Sequence, residues 1–269
     1  PDASLALTGV TGTNGKTTVT MLLQHLIGGE ETVGLLGTVR YDLGKRTLPS
    51  FKTTPESVDI YAMLSQVKQA GVTEVSMEVS SHGIDQQRVY GLHFDVAVFM
   101  NLTQDHIDYH ENMESYFTTK KRLFSGEIGA VPRVSVVNLD CPYGERLLAS
   151  LNPSQKSISF GIEKEATFQA SALKFFKDHT EFKFTHPEGE VSVSSPLIGR
   201  YNISNLLGAI AAGYARGYSI QSMMERLLSF RGVPGRMERV EISEDLSVLV
   251  DYAHTDDALR NATSMLSDL

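Results

Sequence analysis

The stretch VTGTNGKTT, residues 10–18, decides how the rest of the chain is read. An apolar run, Leu5–Val10, precedes it and a helical pattern, Lys16–Ile27, follows, so it forms the turn of a strand–loop–helix unit. A phosphate-binding loop needs that context: glycines admit an anion to the backbone, the helix N-terminus presents N–H groups, and a lysine reaches the terminal phosphates. A strict Walker A motif, G-x-x-x-x-G-K-[ST], needs glycine at position 10, where this chain has Val10. The context still favours a nucleotide site built from Gly12, Thr13, Asn14, Gly15, Lys16, Thr17 and Thr18, with Thr17 placed for Mg2+. The competing reading is a glycine-rich turn that caps an ordinary helix.

Further strands are expected at Val33–Leu36, Glu74–Val79, Val96–Met100 and Val134–Asn138, alternating with helical patterns. The helix at Ser57–Ala70 is read from Tyr61, Leu64 and Lys68 at helical spacing, with Gly71 as its stop. This is an α/β fold around a largely parallel sheet with flanking helices. Between Thr167 and Ser194 the pattern switches to short alternating runs, which predicts an antiparallel meander attached to the sheet. A buried helix, Asn202–Tyr214, and an amphipathic one, Ile220–Leu228, follow. RGVPGR, residues 231–236, is the best boundary in the chain. It divides an ATP-binding domain, 1–233, from 234–269, read as the incomplete start of a second α/β domain: strands at Met237–Ile242 and Leu246–Tyr252 and a helix at Thr255–Leu269.

Composition narrows the function. The 269 residues carry a net charge of −8, with no basic block to neutralise a run of nucleic-acid phosphates. The single cysteine, Cys141, excludes an intrachain disulfide framework and fits a reducing compartment. No apolar run is long enough for a membrane span, and Pro1–Ser4 shows no leader pattern. A cytoplasmic monomer with no nucleic-acid or membrane partner is expected.

Two further segments follow strands and so reach a ligand crevice at the sheet's carboxyl edge. MEVSSHG, residues 77–83, brings Glu78, a carboxylate able to hold Mg2+ or orient a water. NLTQDHIDYH, residues 101–110, concentrates Asp105, His106, Asp108 and His110 in one loop; aspartates beside a nucleotide favour Mg2+ over zinc, with Cys141 remote. YFTTKKRLF, residues 116–124, reads by charge as a solvated helix, and FKTTPES, residues 51–57, as a helix entry whose hydroxyls cap, with Pro55 near the first turn.

Together these segments, with YNISNLLGAIAAG, GRMERV and VDYAH in order along the chain, resemble the Mur ligase family, most closely its branch that adds the third residue of the peptidoglycan stem peptide. That family uses TGTNGKT, so Val10 is no defect. The resemblance implies an ATP- and Mg2+-dependent ligase: the carboxylate of UDP-MurNAc-L-Ala-D-Glu takes the γ-phosphate, and an amino acid captures the acyl phosphate. It implies Lys16, Glu78, His106 and Lys120 as catalytic, Thr17 and Glu78 on one Mg2+, His106 on a second, and Lys120 as a carbamylated metal-side lysine. Thr53, Thr54, Ser80, Gln86 and Arg88 match acceptor-binding positions. Asn138, Asn202 and Asn205 match nucleotide-side positions, joined by Arg236 and Asp251 from the next domain; for the asparagines, helix packing is the alternative.

The chain departs from the family at Asp256, where proline is expected, and lacks the segment that selects the amino acid. It is therefore expected to be a fragment unable to complete ligation by itself, and the added residue, L-lysine, diaminopimelate or another, is unassigned. Two other function classes stay open: a phosphate-loop kinase or nucleotide hydrolase that forms no amide, and a non-catalytic nucleotide-binding module.

Overall fold

The computed structural model describes residues 5–243 and 246–268; the leader reading at Pro1–Ser4 and the last helical residue expected, Leu269, lie outside them. The chain runs β1 (Ala6–Thr11), α1 (Lys16–Ile27), β2 (Val33–Leu36), β3 (Arg40–Asp42), β4 (Thr47–Pro49), α2 (Ser57–Gln69), β5 (Glu74–Glu78) and α3 (Ser81–Asp85). It continues through β6 (Val96–Phe99), α4 (Ile107–His110), α5 (Met113–Ser125), β7 (Val134–Asn138), α6 (Pro142–Ser150), β8 (Lys156–Gly161), β9 (Phe168–Phe175), β10 (Thr180–His186) and β11 (Gly189–Ser195). Then come α7 (Arg200–Ala215), α8 (Ile220–Leu227), β12 (Glu238–Ser243), β13 (Leu246–Val250) and α9 (Asp256–Asp268).

One sheet has the order β11-β10-β9-β8-β7-β6-β1-β5-β2-β3-β4. From β9 across to β2 every neighbouring pair is parallel. The antiparallel meander β9–β11 closes one edge, with β9 joining β8 in parallel, and the β3–β4 hairpin closes the other. Period-two alternation sorts the core: Val10, Val96, Val98 and Val136 face α1, α7 and α8, while Leu7, Ala97, Phe99 and Val137 face α2, α5 and α6. A sheet buried on both sides thus places β1, β5 and β6 side by side, with their carboxyl ends at one edge.

One expected detail changes. The buried face of α2 is Ile60, Met63, Leu64 and Val67, so of the residues that gave the helical spacing Leu64 faces the core while Tyr61 and Lys68 are exposed. Gly71, at φ 85, does follow the helix end. β12 and β13 form a separate two-stranded sheet, and Met265 of α9 rests against Gly199, where an added Cβ would meet its Cγ at 2.8 Å. Among the described residues no helix is long and apolar enough to cross a membrane.

Candidate active site

β1 ends at Thr11 and α1 begins at Lys16, so residues 12–15 form a four-residue loop at the sheet's carboxyl edge. Gly15 has φ 90, and a Cβ there would lie 2.4 Å from Asn205 Oδ1, which explains glycine at this position. The Lys16 ammonium donates to the carbonyls of Gly12 and Thr13, both at 2.9 Å. Burial lowers its pKa, opposed by Glu78 and Asp105, while Arg236 adds to the lowering. Thr18 is buried in the first turn of α1.

Glu78, the last residue of β5, pairs in register with Val10 and is fully buried. Its Oε2 accepts from the hydroxyls of Thr17 and Thr38, each at 3.1 Å, and its Oε1 from the Thr38 N–H at 2.7 Å. Burial raises its pKa against Lys16 and these hydrogen bonds. Gly37 makes room for the carboxylate, since a Cβ there would sit 2.6 Å from Oε1.

α5 delivers the second amine. Lys120 is 1% exposed, so the solvated-helix reading fails for it; the helix turns this one cation inward. Its Nζ donates to the Gly12 carbonyl at 3.0 Å and lies 4.6 Å from the Tyr116 ring centroid. Burial, then the Lys16 cation, hold its pKa well below the usual lysine range, against Asp105. Tyr116 also approaches Thr13 through its hydroxyl, at 3.3 Å from Oγ1.

The four candidates of the 101–110 segment do not share one loop: Asp105 and His106 precede α4, while Asp108 and His110 lie within it. His106 starts α4 in a left-handed conformation, beside Asp105 (Nε2–Oδ2 3.4 Å) and edge-on to His82 (centroids 4.8 Å). Burial lowers its pKa against Asp105, with His82, Lys16 and Lys120 adding to the lowering, so it shares the crevice with both amines. His110 is buried, stacks on Tyr116 at 4.8 Å, and burial together with His82 pushes its pKa down to about 4. Cys141 is not remote from this segment: its sulfur accepts from the Leu102 N–H at 3.3 Å.

The expected acceptor residues gather around Glu78. Thr54 donates to the Glu78 carbonyl at 2.9 Å and accepts from the Ser80 N–H at 3.0 Å, so its hydroxyl joins two segments and does not cap α2. That helix starts on Glu56 without a side-chain cap, and Pro55 precedes it. Thr53 meets Thr38 at 3.0 Å between hydroxyls, and Ser80 caps α3 through Gly83. Arg88 donates to the Thr54 carbonyl at 2.9 Å and to Gln86 Oε1.

On the other flank, Asn205 lies against Gly15 and donates to Asn202 Oδ1 at 3.3 Å. Asn202 donates to the Ile198 carbonyl and Asn138 to that of Met100, so both amides also hold the fold. Arg236 reaches Thr17 Oγ1 at 3.4 Å from the end of the RGVPGR segment, with Tyr252 under its guanidinium. The Asp251 carboxylate accepts from the N–H groups of Met237 and Ala253. Sequence reasoning missed Thr38, His82, Tyr116 as a lysine platform, and Asn101, whose amide grips Asn14.

Mg2+ fits this donor set. Thr17 and Glu78 offer hard oxygens 3.1 Å apart beside the loop, and among the described residues no group of three or more His, Cys, Asp or Glu gathers to cage a metal. A cation that keeps its waters and takes phosphate oxygens needs few protein ligands.

Residues 10–213 match the family described as the Mur ligase middle domain. UDP-N-acetylmuramoyl-L-alanyl-D-glutamate–2,6-diaminopimelate ligase from Solibacter usitatus is 41% identical over 270 residues, covering 100% of this chain and 54% of that protein. The ligase of the same name from Synechococcus elongatus is 44% identical, covering 97% of this chain and 52% of its own length. A solved structure of a ligase of that name superposes with a TM-score of 0.82 at 33% identity over 98% of this chain and 54% of that one. The chain thus spans about half the length of the curated relatives it matches.

Proposed function

The chain belongs to the Mur ligase family, and from that premise we propose that it carries the carboxylate-activating site of an ATP-dependent peptidoglycan-precursor ligase. The observation that carries this reading is the convergence of Lys16 and Lys120 on the Gly12 carbonyl, with the Thr17–Glu78 pair alongside. The acceptor is UDP-MurNAc-L-Ala-D-Glu, and the names of the relatives make 2,6-diaminopimelate the first amine to test. The protein is read as a cytoplasmic monomer divided near residues 233 and 234.

The first-turn N–H groups of α1 and the Lys16 ammonium grip the β- and γ-phosphates. A terminal carboxylate oxygen of the acceptor, oriented by Thr53, Thr54, Ser80, Gln86 and Arg88, attacks the γ-phosphorus in line; the P–O bond to ADP breaks and an acyl phosphate forms. The amine nitrogen then attacks the acyl carbon, phosphate leaves, and the amine's proton is lost. When bound, Mg2+ would neutralise phosphate charge, one ion held by Thr17 and Glu78 and a second by His106, with a carbamylated Lys120 on the metal side. A low lysine pKa supplies the neutral amine that carbamate formation needs. Asn138, Asn202, Asn205, Arg236 and Asp251 take the nucleotide side.

The 269 residues by themselves are proposed to bind nucleotide and acceptor without completing the amide. The test is calorimetric titration with Mg-ADP and with the acceptor, followed by an ADP-release assay. The ligase reading expects both ligands to bind and any ADP release to require the acceptor. Release at the same rate without acceptor would favour a nucleotide hydrolase instead.

A further inference from the structure

We propose that Asn101 is a positioning residue that completes a shortened phosphate loop from the neighbouring strand. The proposal rests on the reading that residues 12–18 bind phosphate. Only Thr13 and Asn14 separate Gly12 from Gly15, where a Walker A loop has four residues between its glycines. A loop this short has little room to stabilise itself, and the segment after β6 does so. Asn101 Oδ1 accepts from the Asn14 N–H at 2.8 Å, and its Nδ2 donates back to the Asn14 carbonyl at 3.1 Å. The Asn101 carbonyl accepts from the Thr13 N–H at 3.1 Å. Next to it, the Thr13 hydroxyl donates to the Thr103 carbonyl at 3.2 Å and accepts from the Thr103 N–H at 3.0 Å.

This pairing divides the loop's donors into two sets. The N–H groups of Thr13 and Asn14 are engaged inside the protein. Those of Gly15, the N-cap, and of Lys16, Thr17 and Thr18 in the first turn of α1 stand where a helix supplies no partner, and are the donors left for phosphate oxygens. An amide is the side chain that suits Asn101, because it must accept and donate on the same peptide unit. A carboxylate could only accept, and it would place a charge beside the Asn14 carbonyl. The same segment carries Asp105 and His106, so the bracket also fixes the loop's distance to that flank.

The test combines backbone-resolved amide exchange of the parent protein without nucleotide and ADP titration of Asn101→Ala and Asn101→Asp. In the parent, the Thr13 and Asn14 amides should exchange slowly and those of residues 15–18 fast, the latter becoming protected when ADP is added. Asn101→Ala should free the Asn14 amide while β1 stays protected, and weaken ADP binding by about tenfold or more, the scale of one or two lost hydrogen bonds. Asn101→Asp should fail to restore parental affinity. Fast exchange at Asn14 in the parent, or unchanged ADP affinity in the alanine variant, overturns the proposal and leaves the nucleotide site standing. A parent that binds no ADP overturns both.

Discussion

Lys16 and Lys120 donate to one acceptor, the Gly12 carbonyl oxygen, at 2.9 and 3.0 Å. Burial lowers both pKa values, Lys120's well below the usual range, and at Lys120 the neighbouring Lys16 cation adds to the lowering.

A neutral Lys120 should react with carbon dioxide: the nitrogen attacks the carbon, loses a proton, and becomes an anion that Lys16 can neutralise. With 13C-labelled bicarbonate the protein should show one carbamate carbon resonance, or an adduct of about 44 daltons by gentle mass spectrometry. Lys120→Met should remove it. A resonance that persists in that variant would assign the chemistry to another amine.

The same shift fixes a pH dependence. The folded-state pKa of Lys120 lies below its unfolded value of about 10.4, so between the two the unfolded chain holds a proton that the folded chain lacks. Stability should therefore rise with pH across that window and be lowest below the folded-state pKa, where the buried ammonium carries its full cost. Urea midpoints measured in carbonate-free buffer should show this slope. Lys120→Met should flatten it and raise stability at the low end; Lys16, shifted in the same direction, leaves a remnant.

Gly15→Ala should destabilise the fold by about 1–2 kcal/mol from the left-handed backbone alone. It should also push Asn205 off the loop, because the new Cβ would stand 2.4 Å from its Oδ1. Thermal unfolding with and without ADP checks both effects: the midpoint falls, and the rise that ADP confers shrinks.

Arg88→Lys tests the acceptor side. The guanidinium serves the Thr54 carbonyl and Gln86 together, and a lysine cannot span both. Affinity for UDP-MurNAc-L-Ala-D-Glu should drop by about tenfold while ADP affinity holds. Equal losses for both ligands would count against this division of the site.

The parts of the fold legible in the sequence are those with sustained periodicity. α1, β2 and β7 fall at the expected residues, and the meander is recognisable from its alternation. The short elements β3, β4, α3 and α4 have too few residues to show a period, and β8 and α6 lie outside the expected elements. For the site, glycines and lysine beside a strand pointed to the loop, but burial of Lys120 was invisible among three consecutive cations. Asn101 was illegible for a topological reason: residues 14 and 101 meet only because β6 pairs with β1, and sequence order does not give strand order. Its position directly after an apolar strand was the available signal.

Diffraction from crystals of the chain with Mg2+ and a non-hydrolysable ATP analogue tests the central claim most directly. The expected density has β- and γ-phosphates on the N–H groups of residues 15–18 and the Lys16 ammonium, with the cation bonded to Thr17 and Glu78. Phosphates bound away from the 12–18 loop, or a cation touching neither Thr17 nor Glu78, would contradict it.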